Sequence, residues 1–201
     1  MPHLFGAKTF RCLSLWRIFF VLGIFFLSAT PFIAASSRPL QPPLHVVSSF
    51  SILGDLIKNI GRERVHVTSL VGPNSDAHIY EPRPSDARAI VNADLVVVNG
   101  LTFEGWIHRL IANTQKKPER IVVASQGVPP RVLVPDNVID PHAWHNPRIV
   151  EKYIHNITQA LQNIDPDYHD FYEKNRQAYM QKLQELDSWI EKRLRDIPQT
   201  Y

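Results

Sequence analysis

Ala93-Asp94-Leu95-Val96-Val97-Val98-Asn99-Gly100 is the stretch that decides the fold. Four apolar residues run unbroken between Asp94 and Asn99. A strand with one wet face alternates apolar and polar residues, whereas an unbroken run signals burial on both faces, as in a parallel sheet.

Working outward, three more short strands are expected: Leu44 to Ser49, Val65 to Val71, and Ile121 to Ala124. Helical spacing fills the gaps. Phe50, Leu53, Leu56, Ile57 and Ile60 share one face, and Gly61 stops that helix. Ser85 to Val91, and Phe103 through Ile111, predict two shorter helices, and Ile149, Val150, Tyr153, Ile154, Ile157 and Leu161 a longer one. Strands alternating with helices imply an α/β lobe over residues 44–164, with a four-stranded parallel sheet flanked by helices. Asp165-Pro166 is a helix start, and an apolar stripe from Tyr172 to Ile197 predicts one long helix over residues 165–197, ended by Pro198. About 30 residues give roughly 45 Å. No partner remains in the chain to cover that length.

The N-terminus is set apart. Lys8, Arg11 and Arg17 precede an apolar run from Ile18 to Leu27, and the small residues Ala29, Ala34, Ala35 and Ser36 follow. This is the pattern of a cleavable secretory signal over residues 1–35, cut between Ala34 and Ser37, and it implies a periplasmic protein. An uncleaved anchor is the rival reading, because residues 18–37 carry no charge. Residues 36–43 read as a proline-rich spacer. Of 22 Lys+Arg, those three lie in the leader, which has no acidic residue; 22 less three leaves 19 basic against 19 acidic residues. The mature chain is formally neutral, and nothing argues for a nucleic-acid partner. The single cysteine, Cys12, precedes the apolar run and leaves with the leader. Disulfides and thiolate-bound metal are thereby excluded, and any metal site must use imidazole and oxygen.

Two stiff loops offer imidazole. Gly72-Pro73-Asn74-Ser75-Asp76-Ala77-His78 follows the second strand, and Asp140-Pro141-His142-Ala143-Trp144-His145-Asn146-Pro147 is bounded by prolines that push Asp140 and Asn146 toward extended or turn geometry. Ligands of parallel sheets bind at the carboxyl ends of the strands, where both loops are expected. His78 and His142 are therefore candidate metal ligands. The remaining histidines fit a surface or satisfied-core role, and no compact zinc-enzyme motif is present. Asp76 and Asp140 suit two roles: acceptors for the far imidazole N–H, which fix the tautomer, or loop caps. His145 is a spare or entry ligand at most. Glu81, three residues from His78, is a further candidate but suits a local pair with Arg83 better. Trp106 and Trp144 read as packing residues beside the site.

Residues 72–86 (Gly72-Pro73 through His78-Ile79-Tyr80-Glu81-Pro82 to Ser85-Asp86), the Ala93–Gly100 segment with Phe103-Glu104-Gly105-Trp106, and Asp140-Pro141-His142-Ala143-Trp144 occur in this order. Together they resemble the cluster A-I metal-binding proteins, the extracytoplasmic solute-binding subunits of zinc and manganese ABC importers. The resemblance runs from about Leu44 to the end. It implies that His78 and His142 are two of the metal ligands, that the long helix links two lobes, and that the remaining ligands come from a second lobe, which this sequence lacks. The chain is therefore expected to be truncated.

The implied function is capture of a divalent transition metal, zinc favoured and manganese the alternative, for delivery to an ABC membrane permease by a monomer that is not an enzyme. The zinc preference rests on the segments around His78 and Val123-Ala124-Ser125. The histidine-rich loop of some zinc members is absent from residues 125–137. Two other functions compete: a metal-dependent hydrolase, which needs an open coordination position and a general base, and a non-functional truncated remnant.

Overall fold

The computed structural model describes residues 41–195 and Ile197. The expected signal peptide and most of the spacer lie outside the described residues. Among the described residues, no helix is long and apolar enough to cross a membrane.

The sheet has four parallel strands: β1 (Leu44–Phe50), β2 (Val65–Val71), β3 (Leu95–Val98) and β4 (Ile121–Val123). Their order is β2-β1-β3-β4. Phe50 aligns with Val71, and Val98 with Val123, so the strands end together at one carboxyl edge. All four residues of β3 are buried, as a strand covered on both faces requires.

Helix α1 (Ser51–Gly61) turns directly out of β1 and buries Leu53, Leu56, Ile57 and Ile60 on one face. A Cβ at Gly54 would lie 2.4 Å from the Ser69 hydroxyl, so the close approach of α1 to the sheet depends on that glycine. Helix α2 (Pro84–Asn92) joins β2 to β3, and the short α3 (Ile107–Ala112) joins β3 to β4. Helices α4 (Pro147–Ile164) and α5 (His169–Leu194) pack on α1 and on each other.

Three expectations shift. The stretch from Phe103 is a turn before α3 begins, because Phe103, Glu104 and Trp106 are buried individually and not along one helical stripe. Residues 125–140, where the sequence predicts a Pro/Gly-containing connection, contain an antiparallel hairpin, β5 (Arg131–Leu133) and β6 (Val138–Asp140). Its strands have three residues each, too few to show a period. The long helix starts at His169, not Asp165, because a 3-10 turn over Pro166–Tyr168 comes first. Its 26 residues span about 39 Å.

That junction sits at the amino edge of the sheet and is held by a buried ion pair. Arg64, just before β2, donates to Asp165 at 2.8 Å and to the Gln41 carbonyl at 2.6 Å. Tyr172 donates to the same carboxylate at 2.7 Å, and the guanidinium lies 3.8 Å from the Tyr168 ring centroid.

Candidate metal centre

The site lies at the carboxyl edge, beside the point where strand order reverses between β1 and β3. The loop after β2 carries His78, and the loop after β6 carries His142. Their Nε2 atoms are 3.1 Å apart. Two nitrogens on one tetrahedral ion, each at about 2.0–2.1 Å, would be about 3.3–3.4 Å apart. The pair is thus spaced to share one ion with little movement. Without an ion, one ring nitrogen donates to the other, so that hydrogen bond and a shared metal are alternatives.

Aromatic packing sets the ring positions. The Phe103 ring meets His78 edge-on at 4.5 Å. Phe103 also packs on Phe50 and Trp144, and Trp144 on His142. A buried donor holds each loop at the residue before its histidine. The Trp106 indole donates to the Ala77 carbonyl at 2.8 Å, and the Asn99 side-chain amide donates to the Pro141 carbonyl at 3.1 Å. The Trp144 indole N–H is buried and has no partner among the described residues.

The two candidate aspartates separate. Asp140 Oδ1 accepts from the His142 backbone N–H at 3.0 Å and from its ring Nδ1 at 2.8 Å. These bonds hold the Asp140 carboxyl below the usual carboxylate range. They also place the ring proton on Nδ1 and leave the Nε2 lone pair for a ligand. Among the described residues, Asp76 Oδ1 accepts only from the His78 backbone N–H, at 2.8 Å; it caps the loop. His145 lies apart, its ring centroid 6.4 Å from that of His142. Glu81 is exposed and makes no pair with Arg83, whose backbone N–H donates to Asp86 at 2.7 Å. Among the described residues, no group of three or more His, Cys, Asp or Glu side chains converges on one point.

Glu104 and Asn99 stand in the motifs that carry the family resemblance but are not among the candidate site residues of the sequence. Glu104 is buried and accepts from the Ser49 hydroxyl at 2.5 Å and from the Asn99 backbone N–H at 2.6 Å. Burial pushes its carboxyl up against the pull of these bonds. The signal was there: an apolar strand ending in Asn-Gly with an acid four residues on. Gly100 is essential to the turn, since its φ is +83° and a Cβ would lie 2.5 Å from Val123.

Two hollows flank the pair. One of about 240 Å³ is lined by both histidines with Phe103, Trp144, Gly72 and Asp76. A larger one of about 570 Å³ touches His142 but not His78, and is lined also by Arg131, Asp140 and His145. Of these two hollows, the smaller is the one lined by both His78 and His142.

Residues 46–201 match the family model described as "Zinc-uptake complex component A periplasmic". The chain is 42% identical over 156 residues to the manganese-binding lipoprotein MntA of Halalkalibacterium halodurans, covering 78% of this chain and 51% of that protein. It is 36% identical over 173 residues to the manganese ABC transporter substrate-binding lipoprotein scaA of Streptococcus gordonii, covering 82% and 56%. A solved structure of a manganese-bound periplasmic metal-binding protein from candidatus liberibacter asiaticus, a point variant, superposes with a TM-score of 0.71 at 35% identity, covering 77% of this chain and 58% of that one. The chain spans about half the length of the curated relatives it matches. The four-stranded parallel sheet and the long last helix agree with these matches, and the chain belongs to the family of periplasmic A components of zinc-uptake complexes.

Proposed function

We propose that this chain captures a divalent transition metal, zinc or manganese, outside the cytoplasm, with His78 and His142 as ligands, and passes it to the membrane permease of an ABC importer. The observation that carries this reading is the 3.1 Å approach of the two Nε2 atoms across stiff loops. Neutral imidazole suits both ions, and oxygen-rich or nitrogen-rich completion of the site chooses between them. Two imidazoles leave other coordination positions for water or further donors, which favours an ion that binds and later leaves. The role is physical transport, and the relatives named for substrate binding support it.

Calorimetric titration of zinc and manganese into the chain tests the reading. Replacement of His78 or His142 by Ala is expected to weaken binding of the preferred ion at least about tenfold, since losing even a residue that only supports a ligand costs that much. Unchanged binding in both variants would sink the assignment.

A further inference from the structure

We infer that Asn99 is a positioning residue for the metal pair: its buried amide fixes the His142 loop and so sets the spacing of the two imidazoles. The inference rests on the reading of His78 and His142 as ligands.

Asn99 follows β3 and is fully buried. Every polar group it has is engaged. Its side-chain amide donates to the Pro141 carbonyl at 3.1 Å and to the Gly100 carbonyl at 3.0 Å. Its Oδ1 accepts from the Tyr153 hydroxyl of α4 at 2.9 Å, which fixes which way the amide faces. Its backbone N–H goes to Glu104, itself held by Ser49. One side chain therefore joins β3, α4 and the loop that carries His142, with Glu104 tying it back to β1.

Apart from the contact between the two imidazoles themselves, which joins one loop to the other, the remaining hydrogen bonds of residues 141–145 are local. Asp140 binds His142, His142 accepts from His145, and Ala143 from Asn146. Such bonds shape the loop but move with it. Among the described residues, the hydrogen bond from Asn99 to Pro141 is the one that fastens residues 141–145 to the sheet. It acts on the peptide group joining Pro141 to His142, so its loss frees that histidine directly. Trp144 adds ring packing, but its N–H contributes nothing. On the opposite side, the Trp106 indole holds the residue before His78 in the same way. The 3.1 Å spacing thus depends on two buried donors, Asn99 just after β3 and Trp106 at the start of α3.

The test uses the full chain with Asn99→Leu and, as a milder change, Tyr153→Phe, which removes the donor to the amide oxygen. Zinc affinity is read by competition with a chromophoric chelator, the ligand field by the visible spectrum of cobalt(II), and loop freedom by amide exchange in the metal-free protein. Asn99→Leu is expected to lower zinc affinity about tenfold to a hundredfold, the usual range for a residue supporting a ligand. It should also alter the cobalt spectrum and speed exchange over residues 142–146 about fivefold, the worth of one net hydrogen bond. Tyr153→Phe should shift all three the same way by less. Wild-type zinc affinity and loop exchange in Tyr153→Phe, together with wild-type values in any folded Asn99→Leu, would overturn the inference. If His142→Ala removes zinc binding while the Asn99 variants keep it, only this inference fails. If His142→Ala leaves binding intact, the ligand reading itself fails, and the metal-free exchange still decides whether Asn99 fastens the loop.

Discussion

Asp140 holds His142 at two points with one oxygen, taking its backbone N–H at 3.0 Å and its ring Nδ1 at 2.8 Å. The contact aims the ring and chooses its tautomer, so the same carboxylate shapes the loop and prepares the donor atom.

Asp140→Asn is therefore expected to weaken zinc binding about tenfold, because the amide accepts more weakly and can turn its NH₂ toward Nδ1. Asp76→Asn should change affinity far less, since Asp76 only caps its loop and Asn caps as well. Parallel calorimetric titrations of the two variants check the contrast. Equal losses would show that the tautomer is not set by Asp140.

The Arg64–Asp165 pair is expected to matter for stability and not for metal. Both side chains are buried. Asp165→Ala leaves a guanidinium uncompensated and removes the acceptor of Tyr172. A loss of about 3–5 kcal/mol is expected in urea unfolding. Zinc affinity of the folded variant should stay within about twofold, because the pair lies at the amino edge of the sheet and distant sites act independently. A large change in affinity would reveal coupling across the sheet.

Glu173 and Arg176 form a forked pair on α5, with contacts of 2.8 and 2.6 Å. Hydrogen bonding to Arg176 lowers the Glu173 carboxyl to about 2. A lowered folded value means that the stabilisation is present above the unfolded glutamate range, near pH 4.3, and is lost as pH falls toward 2. The pair is partly exposed, so only about 0.5 kcal/mol is expected. Unfolding of Glu173→Gln against wild type from pH 7 to pH 2 should show a gap that closes on acidification. A gap that widens toward low pH would contradict the assignment.

The fold class was legible in local sequence because it depends on periodicity. The apolar run of β3 and the helical spacing in α1 and α4 each report how many faces of an element are buried, a property of neighbouring residues. The histidine loops were legible as candidates because proline stiffens them wherever they lie. The hairpin was not, since three-residue strands carry no period. Nor was the start of α5, where Asp165 serves a distant arginine instead of capping the helix.

By itself, then, the sequence determined a parallel α/β lobe with a long final helix and two imidazole-bearing loops at its carboxyl edge. Tertiary structure alone decided that His78 and His142, 64 residues apart, meet at 3.1 Å, that Asp140 and not Asp76 orients a ring, and that the His145 ring lies 6.4 Å from that of His142. It also brought Asn99 against Pro141, 42 residues away. The physical reason is that donor geometry is set by packing between elements. Phe103, Trp106, Asn99 and Glu104 act on the site only after β1, β3 and α4 have closed around them.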